Sequence, residues 1–288
     1  MTAMVLPGVR PTHKAGRASA FGLAGRLSAA VVIIFTVVAL IGPWVAPHDP
    51  QAVDLKASFW GPDAGHLLGY DAAGRDLLSR LLAGARTSFL GPLVIVGFAT
   101  LLGSSIAVAA AWYGRWLDSA VVAVLDVALA FPGLLLAVLT VAIVGPGLPA
   151  ATLALGVAYV PHMARLVRSA ALREVGRDYV DALRVQGLPA VRIAVRHVLP
   201  NIWPIVIGQA ALTLAWATVD LAALSYLGLG VQPPQPDWGV MVAAGQSGVL
   251  QGYPAESVVA GVCLVVAAGA FNLLGQRLLR RCEGARAR

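Results

Sequence analysis

The sequence predicts an all-α protein that crosses a membrane about six times. Of its 288 residues, 58% are hydrophobic and only 12% are charged, and the mean hydropathy is +0.78. Soluble domains average about 45–50% apolar and about 25% charged residues. This composition excludes a water-soluble globular enzyme. It also excludes an intrinsically disordered chain, because disordered segments have low hydrophobicity.

Uncharged runs long enough to cross a bilayer recur along the chain. A hydrocarbon core about 30 Å thick requires about 20 apolar residues of helix. Two such runs cover residues 27–47 and 87–114, a third, 257–278, is charged only at Arg277 near its end, and a fourth, 202–229, is interrupted only by Asp220. These runs predict four spans.

The stretch between the second and fourth of these runs supplies two more spans. It begins near Asp118, carries a charge at Asp126, and is then uncharged from 127 to 164. A helix of that length would extend about 57 Å, which is too long for one crossing. The Gly- and Pro-rich segment 145–149 predicts the turn at which the chain folds back.

The distribution of lysine and arginine predicts the orientation of the chain. An even number of spans places both termini on one side, and that side carries 17 of the basic residues against 4 on the other. Because positive loops stay inside, we expect a cytoplasmic basic arm (1–26), a cytoplasmic loop (165–201) and a cytoplasmic basic tail (280–288). Loops 48–86 and 230–256 are then external. The first span has the length of a retained signal anchor rather than of a cleaved signal peptide.

Catalytic and nucleotide-binding motifs are not evident in the sequence. Lys14 and Lys56 are the only lysines, and neither follows glycine in a P-loop. The histidines are dispersed, without metal-ligand spacing, and the two cysteines form no CxxC pair. We therefore predict no catalytic residue, metal site or cofactor on this chain. Asp126 and Asp220 lie inside spans, where a carboxylate serves either helix packing or a substrate path.

The segment 165–201 predicts a helical hairpin. Residues 178–183 have helical apolar spacing, Gly187 suits a left-handed helix end, and Pro189 suits the first turn of a second helix. A docking element and a solvated charged face both remain open for this hairpin. The second helix is expected to place valines on one face and arginines on the other: Val191, Val195, Val198, Arg192 and Arg196.

The external segment before the second span predicts a short amphipathic helix. After Asp76, leucines recur at helical spacing with Ser79 and Arg80 opposite them, which is typical of an interfacial helix. This helix is either a plain connector or a contact for an external partner or gate.

Together these stretches resemble the inner-membrane permease subunits of ABC importers, in particular the second permease of the dipeptide, oligopeptide and nickel group. The resemblance covers residues 27–279 and implies one transmembrane domain with the type I importer permease fold. Segment 165–201 resembles the family's EAA loop, which couples the permease to an ATPase. The residues that carry this match are Asp178, Tyr179, Asp181, Ala182, Gly187, Leu199 and Pro200.

Further matches occur elsewhere in the family's order. Phe131-Pro132, Trp238-Gly239 and the segments 145–148, 224–230 and 271–275 resemble the family's spans and turns. The family's external signature before span two is carried by Gly74, Arg75, Asp76, Arg80 and Arg86.

The sequence also departs from the family's pattern. Asp181 stands where glutamate is usual in the loop, Leu183 where alanine is usual, and Tyr70 where threonine is common. The run at 252–259 is altered, and the tail after Gly275 is basic where the family has an acidic one.

The resemblance implies a heteromeric importer in a bacterial inner membrane. A second permease would form a heterodimer with this chain, two ATPase subunits would bind ATP and Mg²⁺, and an extracytoplasmic binding protein would deliver the substrate. Short peptides are the expected substrate, with nickel or another small solute as the alternative. Neither nucleic acid nor a cofactor on this chain is implied.

Two other classes remain for comparison. An ion-driven secondary transporter is expected to show internal repeats and paired interruptions of its spans, which the sequence does not display. A membrane-embedded enzyme needs a cluster of catalytic groups, which the isolated Asp126 and Asp220 do not supply.

Overall fold

The computed structural model describes residues 23–286, and a helical bundle accounts for most of them. Most of the predicted basic arm, residues 1–22, and the last two residues of the predicted tail, 287–288, lie outside the described residues. The helices in chain order are α1 (Leu23–Val45), α2 (Leu77–Tyr113), α3 (Arg115–Leu129), α4 (Gly133–Val144), α5 (Leu148–Val175), α6 (Asp178–Val185), α7 (Ala190–Ile193), α8 (Leu199–Tyr226), α9 (Trp238–Ala244), α10 (Gln246–Leu250) and α11 (Ala255–Arg286).

The prediction of about six spans is confirmed. Within residues 23–286, five helices are long and apolar enough to cross a membrane: α1, α2, α5, α11 and the helix running from α7 through α8. The pair α3–α4 passes the same test only when its two helices, bent by 80°, are taken together, which brings the number to six. The predicted turn is also correct, since α4 ends at Val144 and α5 begins at Leu148.

The bend between α3 and α4 has a local cause. Proline has no N–H and disfavours helical geometry in the residue before it. Pro132 accordingly separates the two helices: α3 ends at Leu129 with Ala130 as its C-cap, and Pro132 is the N-cap of α4. This bend was not predicted from the sequence.

Helix α2 forms the centre of the bundle, packed against α1, α5 and α8, and α8 packs in turn against α11. Glycines allow the close approaches. A Cβ at Gly103 on α2 would lie 3.0 Å from the backbone nitrogen of Ala164 on α5. A Cβ at Gly275 on α11 would lie 2.7 Å from that of Leu212 on α8. Small residues of this kind are what tightly packed membrane helices require.

The predicted short interfacial helix before the second span is wrong as a separate element. Helix α2 is continuous from Leu77 to Tyr113. Its 37 residues extend about 56 Å, well beyond a bilayer core of about 30 Å. Ser79 and Arg80, expected on a solvated face, are 0% and 1% exposed because a folded loop covers this end of the helix.

The arrangement of the predicted hairpin also differs in part. Helix α5 runs on to Val175, so the segment between α5 and α8 covers 176–198, which we call the α6 hairpin. The expected apolar face of its second helix is partly wrong. Val198 is buried, but Val191 and Val195 are 70% and 60% exposed, and Ile193 takes their place in the core.

Candidate functional site

Helix α6 lies between two tight turns. Helix α6 follows α5 after the two residues Gly176 and Arg177, and it ends before Gly187, whose φ is +77°. The backbone N–H of Leu188 donates to the carbonyl of Leu183 at 3.3 Å and closes the helix end. A Cβ at Gly187 would meet nothing within 4 Å, so the backbone angle alone favours glycine. The predicted left-handed turn is confirmed.

One face of α6 is anchored in the protein core. Val180 is completely buried and belongs to a cluster with residues of α2, α5, the second helix of the hairpin and α8. Tyr179 and Leu183 pack at its edge. The opposite face is free on this chain: the side chain of Asp181 is 66% exposed, Val185 is 88% exposed, and Asp178 and Ala182 are exposed.

A hydrogen-bonded network fixes the start of α6. Glu174 on α5 is 2% exposed, and its Oε1 accepts from the hydroxyl of Tyr179 at 2.9 Å and from Nδ2 of Asn201 at 2.8 Å. Nδ2 of Asn201 also lies 3.1 Å from the Tyr179 hydroxyl oxygen, and Nε of Arg177 lies 3.3 Å from Oε2 of Glu174. Burial raises the pKa of Tyr179, and its hydrogen bond to Glu174 adds to this effect.

Sequence reasoning did not select Glu174 or Asn201 for this site. One signal was available, because Glu174 lies in the last turn of α5. A negative charge there opposes the negative end of the helix dipole and therefore indicates compensating partners.

The other end of α6 contacts α2. Nη1 of Arg184 donates to Oδ1 of Asp181 at 2.9 Å, and its guanidinium carbon lies 4.5 Å from the ring centroid of Trp112. The predicted residues Leu199 and Pro200 lie in the first turn of α8, behind a π-helical turn at 194–198. Pro200 has no N–H for the carbonyl four residues earlier, which favours the wider turn before it.

The carboxylates inside the spans both have partners. Asp126 forms an ion pair with Arg165, and the neighbouring Asp118 accepts from Nε of Arg168 at 2.6 Å. Both pairs join α3 to α5. Asp220 on α8 accepts a 2.8 Å hydrogen bond from the hydroxyl of Tyr159 on α5. These contacts join neighbouring helices, as the packing interpretation of the two charges predicts.

The external signature predicted from sequence forms a compact charged cap at the opposite end of the bundle. Asp71 is its hub: its carboxylate accepts from the backbone of Arg75 at 2.9 Å and from Nε of Arg75 at 2.6 Å, and Nε of Arg80 lies 3.4 Å away. Gly74 has φ +71°, and a Cβ there would lie 1.7 Å from the carbonyl oxygen of Asp54. Sequence reasoning did not select Asp71, although an Asp three residues before a glycine is a turn signal.

Asp76 begins α2 within this cap. Its Oδ2 accepts from the backbone of Ser79 at 2.8 Å, and its Oδ1 lies 2.8 Å from Nδ1 of His66. Burial alone would raise the pKa of Asp76, but the hydrogen bonds from Ser79 and His66 outweigh it and hold the pKa below its ordinary value. Arg86, the last residue of the predicted signature, lies further along α2 and is exposed.

Within residues 23–286, the group nearest to a metal site is His48, His66 and Asp76, whose ligand atoms lie within 4.8 Å of one another. The two imidazole rings stack, with centroids 4.0 Å apart and planes 19° from parallel. Ring nitrogens bind a metal in the ring plane, and nearly parallel planes do not converge on one ion. Since both Asp76 oxygens also have hydrogen-bonding partners, the arrangement suits a stacked structural cluster.

An apolar groove of about 830 Å³ opens along the second helix of the α6 hairpin. Its walls are formed by α2, α7 with the turn that follows it, the first part of α8, and α11 near its end. Val191 and Val195 line it, which accounts for their exposure. Trp112 and Trp203 form part of its wall.

The fold and this site define a polytopic membrane protein with a structured hairpin between two of its long helices. Residues 99–283 match the family described as binding-protein-dependent transport system inner membrane component. Residues 24–62 match the N-terminal TM domain of oligopeptide transport permease C. The chain belongs to the family of binding-protein-dependent transport system inner membrane components, and it is a multi-pass protein of the inner membrane.

Named relatives and solved structures agree with this assignment. The chain is 40% identical over 263 residues to the di/tripeptide transport system permease protein DppC of Pseudomonas aeruginosa, covering 89% of this chain and 86% of the relative. It is 40% identical over 257 residues to the dipeptide transport system permease protein DppC of Escherichia coli, covering 86% and 84%. The MetNI methionine ABC transporter has a chain of similar fold, with a TM-score of 0.57 at 24% identity, covering 70% of this chain and 96% of that one.

Proposed function

We propose that this chain is one of two permease subunits of an ATP-driven importer and forms half of its pathway for short peptides. The family assignment supports a transport role, and the relatives named for dipeptide and di/tripeptide transport support the substrate class. The chain itself contributes no catalytic group to this proposal. ATP and Mg²⁺ are bound by two partner ATPase subunits.

The observation that carries the proposal is the difference in burial between the two faces of α6. Its buried face, at Val180, is fixed to the transmembrane core, and its free face, around Asp181 and Val185, is available to another protein. A helix built in this way transmits displacement from a docked partner to the bundle. Closure of the ATPase dimer moves α6. The permease then switches between an inward-facing and an outward-facing state, and the nucleotide bound to the ATPase subunits determines which state is favoured.

The charge distribution supports an orientation for this assembly. The α6 hairpin and the adjoining end of α5 are rich in arginine, which favours the cytoplasmic side and with it cytoplasmic termini. The cap around Asp71 then faces outward, toward an extracytoplasmic substrate-binding protein. The groove lined by Val191 and Val195 offers an apolar surface for contact with the second permease subunit.

Reconstitution tests the proposal directly. The chain is purified together with its second permease and ATPase subunits, inserted into vesicles that contain ATP and Mg²⁺, and supplied outside with the binding protein and a labelled dipeptide. We expect dipeptide uptake that requires enclosed ATP. Asp181→Lys should reduce uptake, whereas Lys56→Glu serves as the charge-reversal control, because Lys56 is exposed in the loop before α2 and lies outside the predicted signature.

Other results would overturn parts of the proposal. Uptake of Ni²⁺ and not of dipeptide would replace the substrate class. Dipeptide movement by the purified chain alone, driven by an ion gradient without nucleotide, would replace the ATP-driven importer by a secondary transporter.

A further inference from the structure

A single carboxylate oxygen joins three helices at the base of the α6 hairpin. Oε1 of Glu174, in the last turn of α5, accepts from the hydroxyl of Tyr179 in the first turn of α6 and from the amide of Asn201 in the first turn of α8. The same amide nitrogen lies 3.1 Å from the Tyr179 oxygen, so the three side chains form a closed triangle. We call these three residues the Glu174 triangle.

The burial of Glu174 shows that this arrangement overcomes an unfavourable position. The residue is 2% exposed, and a buried carboxylate is costly unless it is hydrogen-bonded or paired. Its place near the carboxyl end of α5 adds an unfavourable interaction with the helix dipole. The buried carboxylate of Glu174 is therefore stabilised by Tyr179, Asn201 and the 3.3 Å contact with Arg177. Its position at the end of α5 does not stabilise it.

The other contacts of α6 are of a different kind. Val180 packs in the core cluster, and Arg184 lies over the ring of Trp112. Apolar burial is non-directional, so it opposes separation of α6 from the bundle and only weakly opposes rotation. Hydrogen bonds need near-linear geometry. The orientation of α6 relative to α5 and α8 therefore depends on the Glu174 triangle.

We propose that Glu174 is a positioning residue for transport, which acts through Tyr179 and Asn201 to make α6 move as one body with the ends of α5 and α8. This inference rests on the proposed function. Without the triangle, α6 still docks on its partner, but its displacement is partly lost as rotation about the Val180 contact. ATP hydrolysis then continues with less solute moved.

The first test measures ATP hydrolysis and dipeptide uptake on the same vesicles containing the assembled importer. Tyr179→Phe removes one hydroxyl and keeps the ring in the core. We expect dipeptide moved per ATP hydrolysed to fall roughly tenfold, the factor corresponding to the loss of one hydrogen bond to a charged group. Tyr226→Phe is the matched control, because its hydroxyl bonds to Gln246 at 3.2 Å on an exposed surface outside the hairpin.

Two further variants separate positioning from simple instability. Glu174→Gln keeps an oxygen that can accept from both Tyr179 and Asn201 and should retain most of the coupling, whereas Glu174→Ala should lose it. An unchanged ratio of dipeptide to ATP in Tyr179→Phe would overturn the inference. So would a parallel fall of both activities together with poor co-purification of the subunits, since that result indicates a structural role only.

The second test does not depend on transport. Spin labels are placed at Val185 on α6 and Val219 on α8 of the full chain, both exposed positions, with the native cysteines replaced. Tyr179→Phe should broaden the distance distribution and Tyr226→Phe should not. Distance distributions of equal width in Tyr179→Phe and wild type would overturn the inference, whether or not the assembly transports dipeptide. Absence of dipeptide uptake by the wild-type assembly would instead contradict the proposed function.

Discussion

The carboxylate of Asp237 accepts a 2.6 Å hydrogen bond from the hydroxyl of Ser88, a residue 149 positions earlier in the chain. The same carboxylate begins α9 by accepting from the backbone N–H of Gly239 at 2.9 Å, and the Ser88 oxygen accepts from the backbone of Trp238 at 2.9 Å. All of these groups are buried. This reciprocal pair joins the α8–α11 connection to the first third of α2.

Replacement of Asp237 by alanine should destabilise the protein strongly. The change removes the cap of α9 and leaves the Ser88 hydroxyl and buried N–H groups without an acceptor, at a cost of about 3 kcal/mol. Thermal unfolding in detergent measures the loss. Asp63→Ala is the control, because that exposed carboxylate bonds only within its own loop, to the backbone of Gly65 and His66 and to the hydroxyl of Tyr70. Equal stability of the two variants would contradict the importance of the buried pair.

Gly187→Val should abolish uptake while leaving the chain in the membrane. The φ of +77° strains any β-branched residue, at a cost of about 1–2 kcal/mol, and the chain relieves this strain by redirecting the end of α6. Gly252→Val carries a similar strain at φ +88°, also in open space, but lies in the segment before α11. Uptake by Gly187→Val equal to that of Gly252→Val would show that the turn does not direct a functional surface.

Acidification should remove the stabilisation that Asp76 provides. Its pKa in the folded state is below the ordinary value of 3.8, so the ionised carboxylate stabilises the fold above pH 3.8. That contribution is lost as the pH falls through the lowered folded-state pKa. The difference in melting temperature between wild type and Asp76→Asn should therefore be constant near neutral pH and shrink below pH 3.8. A difference in melting temperature that grows below pH 3.8 would show that the ionised Asp76 carboxylate does not stabilise the fold.

Tyr159→Phe tests whether Asp220 serves packing or the substrate path. Loss of the 2.8 Å interhelical hydrogen bond should lower stability by about 0.6–1.7 kcal/mol, the range for such bonds in membranes, with uptake largely retained. Tyr113→Phe, at an exposed tyrosine, is the control for removal of a hydroxyl. Unchanged stability with abolished uptake would assign Asp220 to the pathway instead.

Local patterns in the sequence were sufficient for much of the architecture. The turn at 145–149 and the end of α6 at Gly187 depend on glycine and proline conformations that act over a few residues, and both were predicted correctly. The start of α2 after Asp76 was likewise predicted from the turn residues before it. The continuity of α2 into the second span was not predicted, because the burial of Ser79 and Arg80 depends on a loop that folds over them.

The contacts that orient the candidate site could not be read from periodicity. Glu174 and Asn201 are 27 residues apart, and the pairing of Asp126 with Arg165 spans 39. Such pairs follow from the packing of α3, α5 and α8, which no pattern within one segment specifies. The exposure of Val191 and Val195 has the same origin: the groove beside them is a property of several helices together.

The bend at Pro132 constrains what can surround α3 and α4 in a bilayer. Helices α3 and α4 have 15 and 12 residues and extend about 23 and 18 Å, so neither alone crosses a hydrocarbon core of about 30 Å. Ala130, Phe131 and Pro132 are exposed on this chain, yet non-helical backbone does not face lipid in membrane proteins. Wherever this break enters the bilayer, a neighbouring subunit or a water-filled cavity therefore has to shield it from lipid.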